Sequence, residues 1–384
     1  MLNVLLIEAL LMVDFNMKGN ILILTNNIGG LHSFRKEVMK AICDVGYKVF
    51  ISAPDDSPKA AFFREIGCEI ILTKFDRRGV NPLADFKLML VYKKLMKQLK
   101  PVAVLTYTIK PNIYGGIAAR LCHIPQLANV TGLGDAVENG GWMQKLTVAL
   151  YKMGIGKARC VFFQNGNNRD FGIQNGIVNK DTSVVLPGSG VNLQHHTYQI
   201  YPANEGKIRF LYIGRLLKDK GIEELFETAK LIKSKHPNTE FQIIGSVEGD
   251  YQSQLNELMS SGIVNYLGSQ ADVRPFIGAV ECTIMPSYHE GMSNVNLESA
   301  ANGRPAITTN VPGCRETVND SVTGYLVEAR SSQSLIEAVE RFIALPYDQK
   351  VLMGEEARKK VELEFDRQIV IDAYLKEIKE ITNV

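Results

Sequence analysis

Two glutamates, Glu290 and Glu298, stand in the run Ser287-Tyr288-His289-Glu290-Gly291-Met292-Ser293-Asn294-Val295-Asn296-Leu297-Glu298. A short apolar run ends at Met285-Pro286 just before it, and a helical pattern starts near Ser293 or Asn294. Glu290 therefore falls on a loop and Glu298 about one turn into a helix. Carboxylates placed so can accept hydrogen bonds from sugar hydroxyls, often in pairs. The amides of Met292, Ser293 and Asn294 sit at the positive end of that helix, which suits an anion or a hydroxyl. Gly291 lets the backbone come close to a ligand. Taken alone, the same spacing describes a helix capped by Ser293 or Asn294 with an acidic residue near its start.

A second run, Tyr212-Ile213-Gly214-Arg215-Leu216-Leu217-Lys218-Asp219-Lys220-Gly221, closes a strand at Gly214 and leads through a basic loop into a helix. Arg215 can grip phosphate oxygens in bidentate fashion and Lys220 can add a point charge. Two cations on a departing diphosphate stabilise the charge that develops there. A lone Arg–Lys pair is more often a solvated loop; both runs gain weight because each follows a strand of the same sheet. A third run, Asn26-Asn27-Ile28-Gly29-Gly30-Leu31-His32-Ser33-Phe34-Arg35, follows the first strand, and Gly29-Gly30 would let amides approach a ligand. It is no dinucleotide fingerprint, since Gly188-Ser189-Gly190 and Gly132-Leu133-Gly134 both lack the third glycine. Metal use is not expected: there is no D-x-D or H-E-x-x-H, and Glu248-Gly249-Asp250 reads as a surface loop. No cofactor is expected either.

The elements that must position these residues repeat twice. Apolar runs at 21–25, 49–53, 70–73, 102–106, 126–130 and 161–164 read as buried strands. Between them lie helical patterns at 31–44, 82–99, 113–122 and 143–153. The pattern restarts at 208–213, 241–244, 264–267, 282–285 and 306–308. Continuous apolar strands alternating with helices imply an α/β protein with parallel sheets covered on both faces. The 384 residues are too long for one ordinary core. The expected organisation is a non-essential extension at 1–17, then two doubly wound, Rossmann-like domains at 18–190 and 191–365. Residues 366–384 should form a helix that packs back on the first domain. Two such domains would face each other across a cleft at the C-terminal ends of their strands.

Charge is uneven. Residues 1–185 carry 23 Lys and Arg against 14 Asp and Glu, a balance of +9, and residues 186–384 carry 20 against 27, a balance of −7. The basic half should meet something anionic: membrane lipid, a phosphorylated acceptor or nucleic acid. The stretch 74–100 holds eight cations interleaved with apolar residues, a composition that can lie on an anionic membrane surface or simply cover the sheet. Nucleic acid is disfavoured because no binding module is recognisable. Six scattered cysteines without a C-x-x-C pair fit a reducing cytoplasm. The apolar stretch from Val4 to Val13 is too short to span a bilayer and makes a poor signal peptide.

Together these residues resemble glycosyltransferase family 4, retaining enzymes with the two-domain GT-B fold. Glu290 and Glu298 meet the family's E-x7-E pattern, within Pro286-Ser287-x-x-Glu290-Gly291 through Glu298-Ser299-Ala300-x-x-Gly303-x-Pro305. Gly214-Arg215 with Lys220-Gly221 resembles its diphosphate loop, and Gly245 with Tyr266-Leu267-Gly268 resembles the positions flanking its nucleobase pocket. In the N-terminal half the likeness is to bacterial enzymes that extend undecaprenyl-diphosphate-linked oligosaccharides. It rests on Phe34-Arg35, Asn81-Pro82, Lys110-Pro111-Asn112-Ile113-Tyr114-Gly115, Ile124-Pro125 and Val130-Thr131-Gly132-Leu133-Gly134.

The resemblance implies transfer from a nucleotide-sugar donor, with UDP the commonest carrier and GDP left open, to a lipid-linked saccharide acceptor. It implies work on the cytoplasmic side of the inner membrane. Arg215, Lys220 and Glu290 would carry catalysis, and Arg35, Lys110, Asn112 and Thr131 would lie on the acceptor side. Glu290 would hold sugar hydroxyls and Glu298 the nucleotide's ribose. Many family members place a histidine after the strand at 102–106, where this chain has Ile109-Lys110; no catalytic base is assigned there. A nucleotide-sugar epimerase or phosphorylase on the same fold, or a non-catalytic glycan-assembly scaffold, remains as an alternative.

Overall fold

The computed structural model describes residues 18–77, 79, 81–132 and 141–382. The stretch from Val4 to Val13, Met17, Arg78, Leu133 and Gly134 lie outside them. The chain forms two compact units: one runs to Leu186 and takes back the segment from Val370, the other is Pro187–Ile369.

The first unit holds seven parallel strands: β1 (Asn20–Leu24), β2 (Lys48–Ala53), β3 (Glu69–Leu72), β4 (Ala103–Tyr107), β5 (Gln126–Val130), β6 (Cys160–Phe163) and β7 (Ser183–Val185). Their order is β3-β2-β1-β4-β5-β6-β7. Alternation of side chains splits the core. Ile21, Ile23, Val49 and Ile51 face helices α1 (Ile28–Asp44) and α2 (Ala60–Glu65). Leu22, Leu24 and Val104 face α3 (Pro82–Leu99) and α4 (Gly116–Leu121). Ala128, Val130, Val161 and Phe163 face α5 (Gly141–Ile155), and α6 (Gly166–Gln174) follows β6.

The second unit repeats the scheme with six parallel strands: β8 (Ile208–Ile213), β9 (Thr239–Ile244), β10 (Val264–Tyr266), β11 (Cys282–Met285), β12 (Ala306–Thr309) and β13 (Gly324–Val327). The order is β10-β9-β8-β11-β12-β13. Its helices are α7 (Ile222–Lys235), α8 (Gln252–Ser260), α9 (Arg274–Gly278), α10 (Asn294–Ala301), α11 (Ser332–Ala344) and α12 (Tyr347–Glu364). Both sheets thus carry the doubly wound Rossmann order.

The last helix, α13 (Arg367–Thr382), completes the first unit's core. Val370, Tyr374 and Ile378 are fully buried there. The Tyr374 hydroxyl accepts from Asn129 Nδ2, its ring lies 4.5 Å from that of Phe162, and Tyr47 Oη bonds Thr382 Oγ1 at 2.8 Å. Two strands escaped the sequence reading, β7 and β13. Both are edges: β7 has three residues, and β13 follows Asp320-Ser321-Val322-Thr323 with no apolar alternation ahead of it.

Candidate active site

In a doubly wound sheet, ligands bind outside the carboxyl ends of the strands where the order reverses. In the second unit that point lies between β8 and β11, which pair directly. The two loops that leave there are 214–221 and 286–293; they contain Arg215, Lys220, Glu290 and Gly291.

Close backbone approaches hold these loops. Gly221 has φ +70°, and a Cβ on it would lie 2.1 Å from the Pro286 carbonyl oxygen. The Tyr288 amide donates to Asp219 O at 2.9 Å. The loop carrying Lys220 is thereby pressed against the loop carrying Glu290, and Lys220 Nζ pairs with Glu290 Oε1. Both side chains are largely shielded, at 19% and 16% exposure. Gly245, with φ +146°, does the same for the next loop, where a Cβ would stand 1.8 Å from Gly214 O. Its amide donates to Gly268 O, while Leu267 donates to Ile243 O and packs against Leu211, Ile244 and Ile277.

A Gly221→Ala change should therefore cost more than the left-handed backbone alone, which is worth about 1–2 kcal/mol. Gly206, with φ +71° and no atom near its missing Cβ, is the matched control. Denaturant midpoints should fall clearly further for Gly221→Ala than for Gly206→Ala, with transfer activity lost only in the first. Equal losses would show that the approach to Pro286 does not constrain the loop.

Arg215 is 54% exposed, and its Nη1 donates to Glu248 Oε2 at 3.0 Å. Tyr212 Oη fixes its backbone by donating to Arg215 O at 2.8 Å. Glu248 lies on the surface loop expected from the sequence, and that loop carries its carboxylate onto Arg215.

Helix α10 starts at Ser293, whose Oγ accepts from the Asn296 amide at 3.4 Å. The amides at this helix start are not equivalent. Ser293 N–H is spent on Gly313 O at 2.7 Å, whereas those of Met292 and Asn294 meet no protein acceptor among the described residues. An anion there would be held by Met292 and Asn294, a correction to the expectation for Ser293. Asn296, which the sequence reading passed over, is buried, and its Nδ2 donates to Thr308 Oγ1 and Thr317 Oγ1. It ties α10 to the end of β12. Glu298 is partly buried, and its carboxylate makes no hydrogen bond among the described residues. Burial pushes its pKa up to about 7, with Arg367 opposing.

The first unit reverses its order between β1 and β4. Helix α1 begins there at Asn27, which makes no side-chain cap bond, and missing Cβ atoms at Gly29 and Gly30 would meet only the Asn27 side chain. Arg35 is buried; Nη1 donates to Phe34 O, Nε and Nη2 have no partner among the described residues, and the guanidinium lies 6.0 Å from the Tyr374 ring centroid. Lys110 pairs with Asp85 at 2.7 Å, and Tyr114 Oη donates to the same carboxylate at 3.0 Å. Asn112 is spent: Oδ1 accepts from Thr106 Oγ1 and Nδ2 donates to Asn129 O, inside the π-helical turn Pro111–Gly115. Of the residues expected on the acceptor side, Asn112 ties the turn after β4 to β5, and Lys110 ties it to α3. Thr131 follows β5 and is exposed.

Among the described residues no three His, Cys, Asp or Glu side chains gather as metal ligands, and no helix is long and apolar enough to cross a membrane.

Residues 21–165 match the family model for glycosyl transferase 4-like domains, and residues 196–360 match that for glycosyl transferases group 1. The chain is 26% identical over 364 residues to the N,N'-diacetylbacillosaminyl-diphospho-undecaprenol alpha-1,3-N-acetylgalactosaminyltransferase of Campylobacter jejuni, covering 90% of this chain and 94% of that protein. It is 28% identical to the UDP-Gal:alpha-D-GlcNAc-diphosphoundecaprenol alpha-1,3-galactosyltransferase of Escherichia coli over 74% of this chain and 76% of that protein. Among solved structures, a glycosyltransferase from Rickettsia africae superposes with a TM-score of 0.76 at 20% identity, over 96% of this chain and 99% of that one. Anabaena HepE in complex with UDP and glucose gives 0.75 at 16%, over 94% and 100%.

Proposed function

Because the chain belongs to the group 1 glycosyl transferases, with a glycosyl transferase 4-like domain ahead of the group 1 domain, we propose that it moves a sugar from a UDP-linked donor to a saccharide carried on a lipid diphosphate. The sugar would be a hexose or N-acetylhexosamine, and the product part of a bacterial surface polysaccharide or glycan. The observation that carries this reading is the second unit's switch point. There Arg215 and Lys220 stand on the loop after β8, Lys220 pairs with Glu290 on the loop after β11, and that second loop runs into α10 with its two unspent amides and Glu298.

In this reading Arg215, Lys220 and the amides of Met292 and Asn294 take the diphosphate of the donor. Glu290 holds hydroxyls of the moving sugar and Glu298 those of the ribose. The acceptor hydroxyl oxygen bonds to the anomeric carbon as the bond from that carbon to the diphosphate oxygen breaks. The leaving phosphate takes the hydroxyl proton on the same face, so configuration is retained. The two glutamates bind and orient; they are not a glycosidase acid and nucleophile. No metal is called for, since the cations of the protein supply the countercharge. The lipid-linked acceptor draws support from the two undecaprenol-linked relatives and from the +9 balance of the first 185 residues. An acceptor of that kind puts the enzyme on the cytoplasmic face of the inner membrane.

The purified protein should release nucleoside diphosphate from one donor in a panel of UDP- and GDP-sugars, and only when a membrane lipid extract is added. Release that ignores lipid would replace the acceptor with a soluble one or with water. Nucleotide binding without release under any lipid would favour a scaffold.

A further inference from the structure

Helices α3, α4 and α5 lie side by side on one face of the first sheet. α3 buries Leu88, Met89, Tyr92 and Met96 toward the strands. Yet its outward face is apolar too: Leu83 is 75% exposed, and Phe86, Leu90 and Val91 follow at helical spacing. Lys87, Lys94 and Lys97 share that face. α5 repeats the arrangement. Trp142, the only tryptophan of the chain, is 72% exposed, Leu146 and Met153 continue the stripe, and exposed Lys145 and Lys152 lie among them.

Acidic residues are missing from this layer. Neither α4 nor α5 contains one, and Asp85, the single acid of α3, is buried and paired with Lys110. Scattered exposed apolar side chains are ordinary, but two helices of one layer, flanking α4, that each present an apolar and cationic outer face are not. Aliphatic and aromatic side chains that can enter an acyl boundary, beside lysines whose stems reach outward to phosphates, make up an interfacial surface. Each lysine near an anionic leaflet adds attraction that salt screens.

We propose that α3 and α5 together form the face by which this protein seats itself on an anionic lipid bilayer. The inference rests on the lipid-linked acceptor reading for its purpose, and adds which surface meets the lipid. The face lies in the unit opposite in charge to the donor-binding half, so neither function competes for the same residues.

The test uses the full chain and its single tryptophan. Vesicles of phosphatidylcholine, with and without phosphatidylglycerol, are titrated while Trp142 emission and co-sedimentation are followed. The anionic vesicles should shift the emission to the blue and carry the protein down, and high salt should reverse both. The double substitution Phe86→Glu, Leu146→Glu should weaken vesicle binding roughly 100-fold, since two apolar burials are lost. Thermal melting in solution and nucleoside diphosphate release with a short-chain, water-soluble acceptor should not change. Absence of binding to anionic vesicles, or binding that the double substitution leaves intact, would overturn the proposal. So would a self-associated state that the same substitutions dissolve. Donor turnover is read separately, so loss of the transferase reading and loss of the docking face are told apart.

Discussion

Arg215→Ala should lower sugar transfer by roughly 10²- to 10³-fold, the usual loss when one preorganised partner of developing charge is removed. Its melting temperature should stay within a degree or so of the parent's. The second half of this expectation follows from the ion pair with Glu248, which is half in solvent on both sides; such pairs contribute about 0–1 kcal/mol. The loop itself keeps its shape through Leu216, whose amide donates to Ser246 O, and through Tyr212. Arg215→Lys should restore only part of the rate, because an ammonium keeps the charge and loses the planar fork. Glu248→Gln is the counterpart: if Arg215 works on the donor, freeing it from Glu248 should not reduce turnover. Near-normal transfer by a folded Arg215→Ala protein would remove Arg215 from the chemistry. Lys220→Ala is a less clean probe, because it strands Glu290 in a shielded site, and a shielded charge left alone is costly.

Nucleotide affinity should rise as pH increases toward about 7 and level off above it, with Glu298 as the titrating group. Its pKa in the free protein is raised to about 7 by burial. A glutamate in an unfolded chain titrates near 4.3. Below that value both states hold the proton and the folded form suffers no penalty. Between the two values the unfolded chain ionises first, and the folded protein loses stability as pH rises through its own pKa. The loss is on the order of 3 kcal/mol. A nucleotide whose ribose hydroxyls donate to this carboxylate favours its ionised form, so binding below pH 7 should release a proton. Calorimetry of UDP binding in buffers of different ionisation enthalpy measures that release directly. Glu298→Gln should abolish both the proton release and the stability slope; a variant that keeps either would place the titration elsewhere.

The fold was legible because its strands are buried on both sides, so runs such as Ile21-Leu22-Ile23-Leu24 and Phe210-Leu211-Tyr212-Ile213 need no alternation to be recognised. The edges were not, since β7 and β13 are short and flanked by polar turns. In the site, residue types that carry charge announced themselves, and the Lys220–Glu290 meeting follows from two loops leaving adjacent strands. What could not be read was how polar groups are spent. Asn112 looks like a ligand contact in one dimension, but Asn129, which takes its amide, is 17 residues away, and Asp85, which pairs with Lys110, is 25 residues away. Ser293 and Glu248 are settled by partners 20 and 33 residues distant, Gly313 and Arg215. Asn296 gave no signal, being one more asparagine in a helix.

The return of α13 to the first sheet has a consequence for synthesis. The second unit is continuous in the chain, whereas the first lacks Tyr374 and its neighbours until the segment from Val370, which follows the whole second unit, is made. At ordinary elongation rates of about 5–20 residues per second, the first unit waits on the order of 10–40 s between its seventh strand and its closing helix. Over that interval the ring of Phe162 and the amide of Asn129 lack the Tyr374 side chain that later covers them. Born first, the N-terminal unit is finished last, and a ribosome stalled late in the message would hold a complete second unit and an unfinished first one.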